Sequence, residues 1–179
     1  MSPELVTLGH GTATASELGA LIREAGITSI VDVRKMPASS RHPHFGRAEL
    51  ERWLPADAGC AYAWEPALGG FRKGRRDSAN TGLRHASFRA YADYMETAEF
   101  AAALAALLDE ARVHRAAILC SETLWWRCHR RLIADAAVLR EGFAVRHLMH
   151  DGTLRPHVPT GGVQLTPAGM LRYDEVKNF

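Results

Sequence analysis

The chain has 179 residues, 47% hydrophobic and 23% charged, with a formal net charge of +2. That is enough to bury the core of one domain, and the composition is globular, not disordered. The charge is too small to argue for nucleic acid by itself, and no apolar run approaches the roughly 20 residues needed to span a bilayer. Cys60, Cys120 and Cys128 make no disulfide framework. The first residues, MSPELVTLGHG, lack the basic and long apolar segments of a signal peptide. The expectation is a reduced, cytoplasmic protein with no membrane partner.

In chain order, Leu5 to Leu8 is a strand candidate running into Gly9, His10 and Gly11. Thr14 and Glu17 form a capping box, and Leu18, Leu21, Ile22 and Ala25 make one apolar helical face, stopped by Gly26. Ile27 to Val33 is β-branched and nearly continuous, as in a parallel strand buried on both faces. Together these predict a βαβ unit. Its second strand exits at Asp32 and Arg34 into the loop KMPASSRHPHFG, where such sheets bind ligands.

A short helix is predicted over Arg47 to Leu54, stopped at Pro55, then a weaker strand over Ala61 to Ala67. Leu68 to Ser87 is irregular and carries Arg72, Lys73, Arg75, Arg76 and Arg84 among glycines, which suits either an anion-binding lid or a solvated loop. Phe88 to Met95 reads as a helix. Thr97 caps another, whose Phe100, Leu104, Leu107, Leu108 and Ala111 point to the core. Residues 150–179, rich in Pro, Gly and Thr, are expected to form an extended tail.

The stretch from Arg115 to Gly142, RAAILCSETLWWRCHRRLIADAAVLREG, organises the rest. A buried strand ends at Cys120, a turn carries Glu122, and Cys128, His129, Arg130 and Arg131 open an amphipathic helix. Phe143 to Leu148 adds a strand. The predicted architecture is one three-layer α/β domain spanning residues 1–179, with a mainly parallel sheet and helices on both faces. Cys128 is expected in the first helical turn, where the dipole and unpaired N–H groups favour a thiolate or an anion.

The segments TLGHGT, IVDVRKMPASSRHPHF, PALGG, FRAYADYM, CSETLWWRCHRRLIAD and VRHL resemble, in this order, the DUF488 family of small prokaryotic proteins of unknown function. Ser121 stands where the family commonly has a small residue such as alanine, and His10-Gly11 where His-Ser is common. The resemblance implies an α/β fold and a site around Cys120, Glu122, Cys128, His129 and Arg130. It implies no reaction.

Four chemistries compete for these residues. A cysteine-dependent rhodanese or phosphatase fits the strand IVDVR, but a phosphate cradle needs arginine six residues after cysteine and inward-turned glycines. Here Trp126 stands at that position. Cys120, Cys128 and His129 with His10 or His42 offer zinc ligands, but C-x7-C-H is no familiar spacing, and no metal is assigned. Glu122 and Arg130 suit a structural ion pair. The preferred reading is a pocket for a phosphate-bearing ligand, a nucleotide or nucleic acid. There Glu122, with Cys120 and Cys128, is the catalytic candidate, and His10, Arg34, Arg127, His129 and Arg130 are the ligand-binding ones, with Trp125 and Trp126 offered for stacking. A non-catalytic nucleic-acid- or protein-binding module is the alternative. No cofactor or oligomeric state is assigned.

Overall fold

The computed structural model describes residues 3–175. Six strands form one sheet: β1 (Glu4–Gly9), β2 (Ser29–Asp32), β3 (Ala61–Trp64), β4 (Ala116–Cys120), β5 (Ala144–Leu148) and β6 (Leu154–Pro156), in the order β3-β2-β4-β1-β5-β6. The first five run parallel and β6 is antiparallel to β5. The helices are α1 (Ala15–Glu24), α2 (Arg47–Trp53), α3 (Ala86–Tyr94), α4 (Ala98–Val113) and α5 (Arg130–Leu139). A separate hairpin, β7 (Val163–Leu165) and β8 (Leu171–Tyr173), follows β6. Among the described residues no helix is long and apolar enough to cross a membrane.

Why the central strands read as unbroken apolar runs is visible in their two faces. Along β4, Ala116, Ile118 and Cys120 join the core under α4 and α5, while Ala117 and Leu119 join the core under α1 and α2. A strand covered on both sides has no polar face to show. The alternation is the period of two that any strand imposes.

The helix signals act as expected. Thr14 and Glu17 close their capping box, Thr97 accepts from the Phe100 N–H, and Gly26 adopts a positive φ of 66°. Pro55 does not end the second helix, however. The chain continues through Leu54–Ala58 as a π turn and stops at Gly59, φ 62°. Proline tolerates the first turn of a helical segment because its missing N–H would find no partner there. The strand predicted over Ala61 to Ala67 ends at Trp64, and Pro66 opens a 3-10 turn.

The expected tail is more ordered than its composition suggests. It supplies β6 and the β7–β8 hairpin, and Tyr173 is buried in the core.

The connections place the site. β1 feeds α1 on one face of the sheet, whereas its neighbour β4 feeds α5 on the other. Two adjacent parallel strands whose chains depart to opposite faces leave a crevice at their carboxyl ends, which is where open α/β sheets bind ligands.

Candidate functional site

At that crevice lies a cleft of about 770 Å³, lined by His10 from β1, Arg34 from β2 and Cys120 from β4, with Glu122, Arg127, Cys128 and His129 from the turn that follows. Two glycines let the β1 exit approach this turn. A Cβ on Gly9 would fall 1.9 Å from the Glu122 carbonyl oxygen, and one on Gly11 2.0 Å from Thr123 Oγ1. Backbone bonds complete the seam: the His10 and Gly11 N–H groups donate to the Cys120 and Ser121 carbonyls.

His10 is buried and stacks on Phe45, with ring centroids 4.3 Å apart. Its Nδ1–H donates to the Gly11 carbonyl, which turns Nε2 toward Arg34 Nη1 at 3.4 Å. Burial, with Arg34 and His42 nearby, lowers its pKa to about 4, so the ring is neutral. Arg34 is largely committed within the fold. Its Nε and Nη2 donate to the two Asp32 carboxylate oxygens at 2.8 and 2.5 Å, and Nη2 also to the Phe45 carbonyl. Tyr62 donates to the same carboxylate. Of the Arg34 guanidinium nitrogens, only Nη1 meets neither a carboxylate nor a carbonyl oxygen.

The two cysteines are reduced and buried. The Cys120 thiol is pushed well above its usual range by its hydrogen bond to Cys128 and by burial. Burial alone would raise Cys128 as well, but the Cys120 hydrogen bond, the Arg130 guanidinium and His129 outweigh it, and Cys128 titrates well below a free thiol. Arg130 Nε lies 3.3 Å and His129 Nδ1 3.6 Å from Cys128 Sγ. One atom each from Cys120, Cys128 and His129 falls within 4.8 Å of the others.

Several expected placements change. Cys128 has extended φ and ψ of −123° and 152°, His129 is the N-cap, and α5 begins only at Arg130. Cys128 therefore precedes the helix, and the adjacent Arg130 guanidinium, not a first-turn position, favours its thiolate form. Arg130 is almost wholly buried, does not line the cleft, and donates to Cys128 Sγ and the Glu122 carbonyl. The predicted Glu122–Arg130 ion pair is thus replaced by a bond to the backbone oxygen. The Glu122 carboxylate is exposed and accepts from the Leu124 N–H at 3.2 Å. Trp125 stacks face to face on His147, centroids 3.8 Å apart, and Trp126 lies outside the cleft lining. Neither offers its face to the cleft.

Other lining residues come mostly from the two loops that the sequence marks as ligand-binding candidates, although it singles out none of them by itself. Lys35, Met36 and Arg41 project from the loop after β2, and Phe71, Phe88 and Tyr91 form the opposite wall. Phe71 is 95% exposed with φ 56°, unusual for a residue with a side chain.

The fold and site define a doubly wound α/β domain whose switch-point cleft combines a cysteine pair with surplus positive charge. The chain belongs to the family described as "Domain of unknown function DUF488", whose model matches residues 14–137. No curated protein and no solved structure matches it.

Proposed function

We propose that the cleft binds, and with Glu122 acts on, a phosphate-bearing ligand of the nucleotide class. The observation that carries this reading is an imbalance of charge. Lys35, Arg41 and Arg127 are exposed on the lining, and none meets a carboxylate among the described residues; Glu122 is the single acid on the walls. Cations left unpaired at a concave, partly desolvated surface raise the local concentration of anions and suit bidentate phosphate capture. The exposed Phe71 and the half-buried Phe88 on the lining give a flat base an aromatic partner. Glu122, held through the Leu124 N–H, serves as base or as acceptor for a ligand hydroxyl.

An enclosed site is also supported over an extended nucleic-acid face. In the 68–87 loop, Arg72 donates to the carbonyls of Gly69, Pro66 and Ala67, and Arg75 pairs with Asp93 and Glu96. Two of the loop's cations therefore already have partners within the chain. A cysteine-dependent enzyme is the second reading, favoured by the lowered pKa of Cys128. It lacks the phosphate cradle, because the Arg127 and Cys128 N–H groups donate to the Leu124 and Trp125 carbonyls and the Leu124 N–H to Glu122.

Thermal melts with AMP, ATP, pyrophosphate, inorganic phosphate and short oligonucleotides test the proposal. A ligand at about a hundred times its Kd adds about 2.7 kcal/mol, a rise of roughly 5–10 °C for a domain of this size. The paired substitution Arg41→Ala and Arg127→Ala should leave the unliganded melt in place and remove most of the rise. No stabilisation by any of these compounds, or an undiminished rise in the double variant, overturns the reading.

A further inference from the structure

Cysteine spacing gave no reason to assign a metal, but the fold brings the three soft ligands together at the cleft floor. We propose that Cys120, Cys128 and His129 form a three-ligand zinc site whose fourth position opens into the cleft.

The distances fit. Zinc takes sulfur at about 2.3 Å and imidazole nitrogen at about 2.0–2.1 Å, so neighbouring ligand atoms of a tetrahedral site lie about 3.5 Å apart. Cys128 Sγ and His129 Nδ1 are 3.6 Å apart, and all three ligand atoms lie within 4.8 Å of one another. Small side-chain rotations close the remaining gap. The trio forms because β4 delivers Cys120 to the sheet edge and the 3-10 turn Trp125–Arg127 brings the chain back to set Cys128 beside it.

The surroundings of the ligands also fit. His129 Nε2 lies 3.0 Å from the Val33 carbonyl oxygen, which can only accept, so Nε2 carries a proton and Nδ1, beside the Cys128 sulfur, is the ring nitrogen placed to take a metal. A ligating histidine is ordinarily fixed in this way, by donating its other nitrogen to a carbonyl or carboxylate. The ring cannot swing freely: Tyr91 lies against it, centroids 5.1 Å apart, and a Cβ on Gly70 would come within 3.3 Å of Nδ1. Arg130 Nε–H donates to Cys128 Sγ at 3.3 Å from the buried side. Two thiolates neutralise a divalent cation, and the Arg130 charge behind them leaves the assembly positive toward the cleft. That favours an anion or a water-derived hydroxide at the open position. Three protein ligands with one exchangeable position is the arrangement of reactive zinc, in contrast to the closed four-ligand structural site.

The test uses the full chain, reduced and stripped with chelator, titrated with Co²⁺ as the spectroscopic stand-in. One equivalent should develop a thiolate-to-cobalt charge-transfer band in the near ultraviolet and intense tetrahedral bands in the visible, and one equivalent of Zn²⁺ should bleach both. Cys120→Ser and Cys128→Ser should each lose most of the charge-transfer intensity. Cys60→Ser should retain it, since Cys60 belongs to the core on the other face of the sheet. Circular dichroism melts establish that each variant is folded. For any that is not, the wild type supplies the second measurement: Zn²⁺ should slow alkylation of Cys120 and Cys128, located by mass spectrometry, and leave Cys60 unaffected. Weak octahedral bands only, full bands in either cysteine variant, or alkylation of the pair unaffected by Zn²⁺ overturns the site. The cobalt spectrum is read without any phosphate compound, so it fails or succeeds independently of the anion reading.

Discussion

Two imidazole-rich clusters flank the turn between β4 and α5, and they are built to opposite ends. Away from the cleft, Thr7 Oγ1 meets His147 Nδ1 at 2.7 Å, His147 Nε2 meets His157 Nδ1 at 3.0 Å, and His157 Nε2 meets Asp135 Oδ1 at 2.8 Å. The Thr160 N–H and the Tyr173 hydroxyl donate to the same carboxylate, and Trp125 covers His147. Every ring nitrogen in that chain is used, and nothing faces outward. In the cleft, by contrast, His129 Nδ1, the coupled sulfurs and the Lys35, Arg41 and Arg127 charges remain only partly answered. One turn serves both, giving Trp125 to the closed cluster and Arg127, Cys128 and His129 to the open one. Polar residues that satisfy one another hold the fold together, and those left with spare valence are available to a ligand.

Breaking the closed cluster should have the largest effect. Asp135→Ala strands three buried donors, each costing about 1–3 kcal/mol, so a loss of at least about 3 kcal/mol is expected. At roughly 2–4 °C per kcal/mol, the melting temperature should fall by about 6–12 °C; a fall under about 2 °C would show the network to be dispensable.

Acid should weaken the same cluster less abruptly. Burial, with His157 and Arg130 adding to it, lowers the His147 pKa to about 3 from an ordinary value of 6.5. Between those values the unfolded chain binds a proton that the folded chain does not, so stability falls as the pH drops from about 6.5 toward 3. His10, lowered to about 4, adds in the same direction. Urea midpoints at pH 7, 5 and 4 should decline in that order. A midpoint unchanged from pH 7 to 4 would contradict the neutral, buried assignment of both rings.

The smallest effect on stability is expected at Glu122. Its carboxylate is exposed and holds one backbone N–H, so Glu122→Gln should cost under about 1 kcal/mol, the size of an ordinary hydrogen bond. The ligand response should change where the melt does not: loss of any turnover, with binding of phosphate compounds retained or tightened once the single acid is gone. A variant with parent-like melt, binding and turnover would remove Glu122 from the site.

Much of the scaffold was legible because local signals agreed with the global fold. The Thr14–Glu17 box, the Thr97 cap and the apolar run before Cys120 each state their element, and parallel strands then oblige His10, Arg34 and Cys120 to share an edge. The role of Arg130 was not legible. Next to Cys128 and His129 it reads as a ligand-facing cation, yet its side chain folds back to the sulfur of residue 128 and the carbonyl of residue 122. Trp125 was equally opaque, since its partner His147 lies on β5 and comes into register only through the sheet. The strands β6 to β8 have three residues each, too short for periodicity to register.

Tyr173 ties the last hairpin to α5 and to the end of the irregular 68–87 stretch. Its backbone N–H donates to Asn80 Oδ1, its carbonyl accepts from the Gly82 N–H, and its hydroxyl reaches Asp135 on α5. Asn80 in turn donates to Asp93 on α3. A Cβ on Gly82 would lie 2.2 Å from the Asp174 carbonyl oxygen, so the two segments meet at backbone distance. The far end of the irregular stretch, at residues 80–82, is thereby anchored. Ordering a free segment of that kind costs roughly 1–2 kcal/mol per residue in backbone entropy. At residues 80–82 folding has already met that cost, so a ligand bound in the cleft would not have to order this end of the loop and would retain more of its contact energy as affinity.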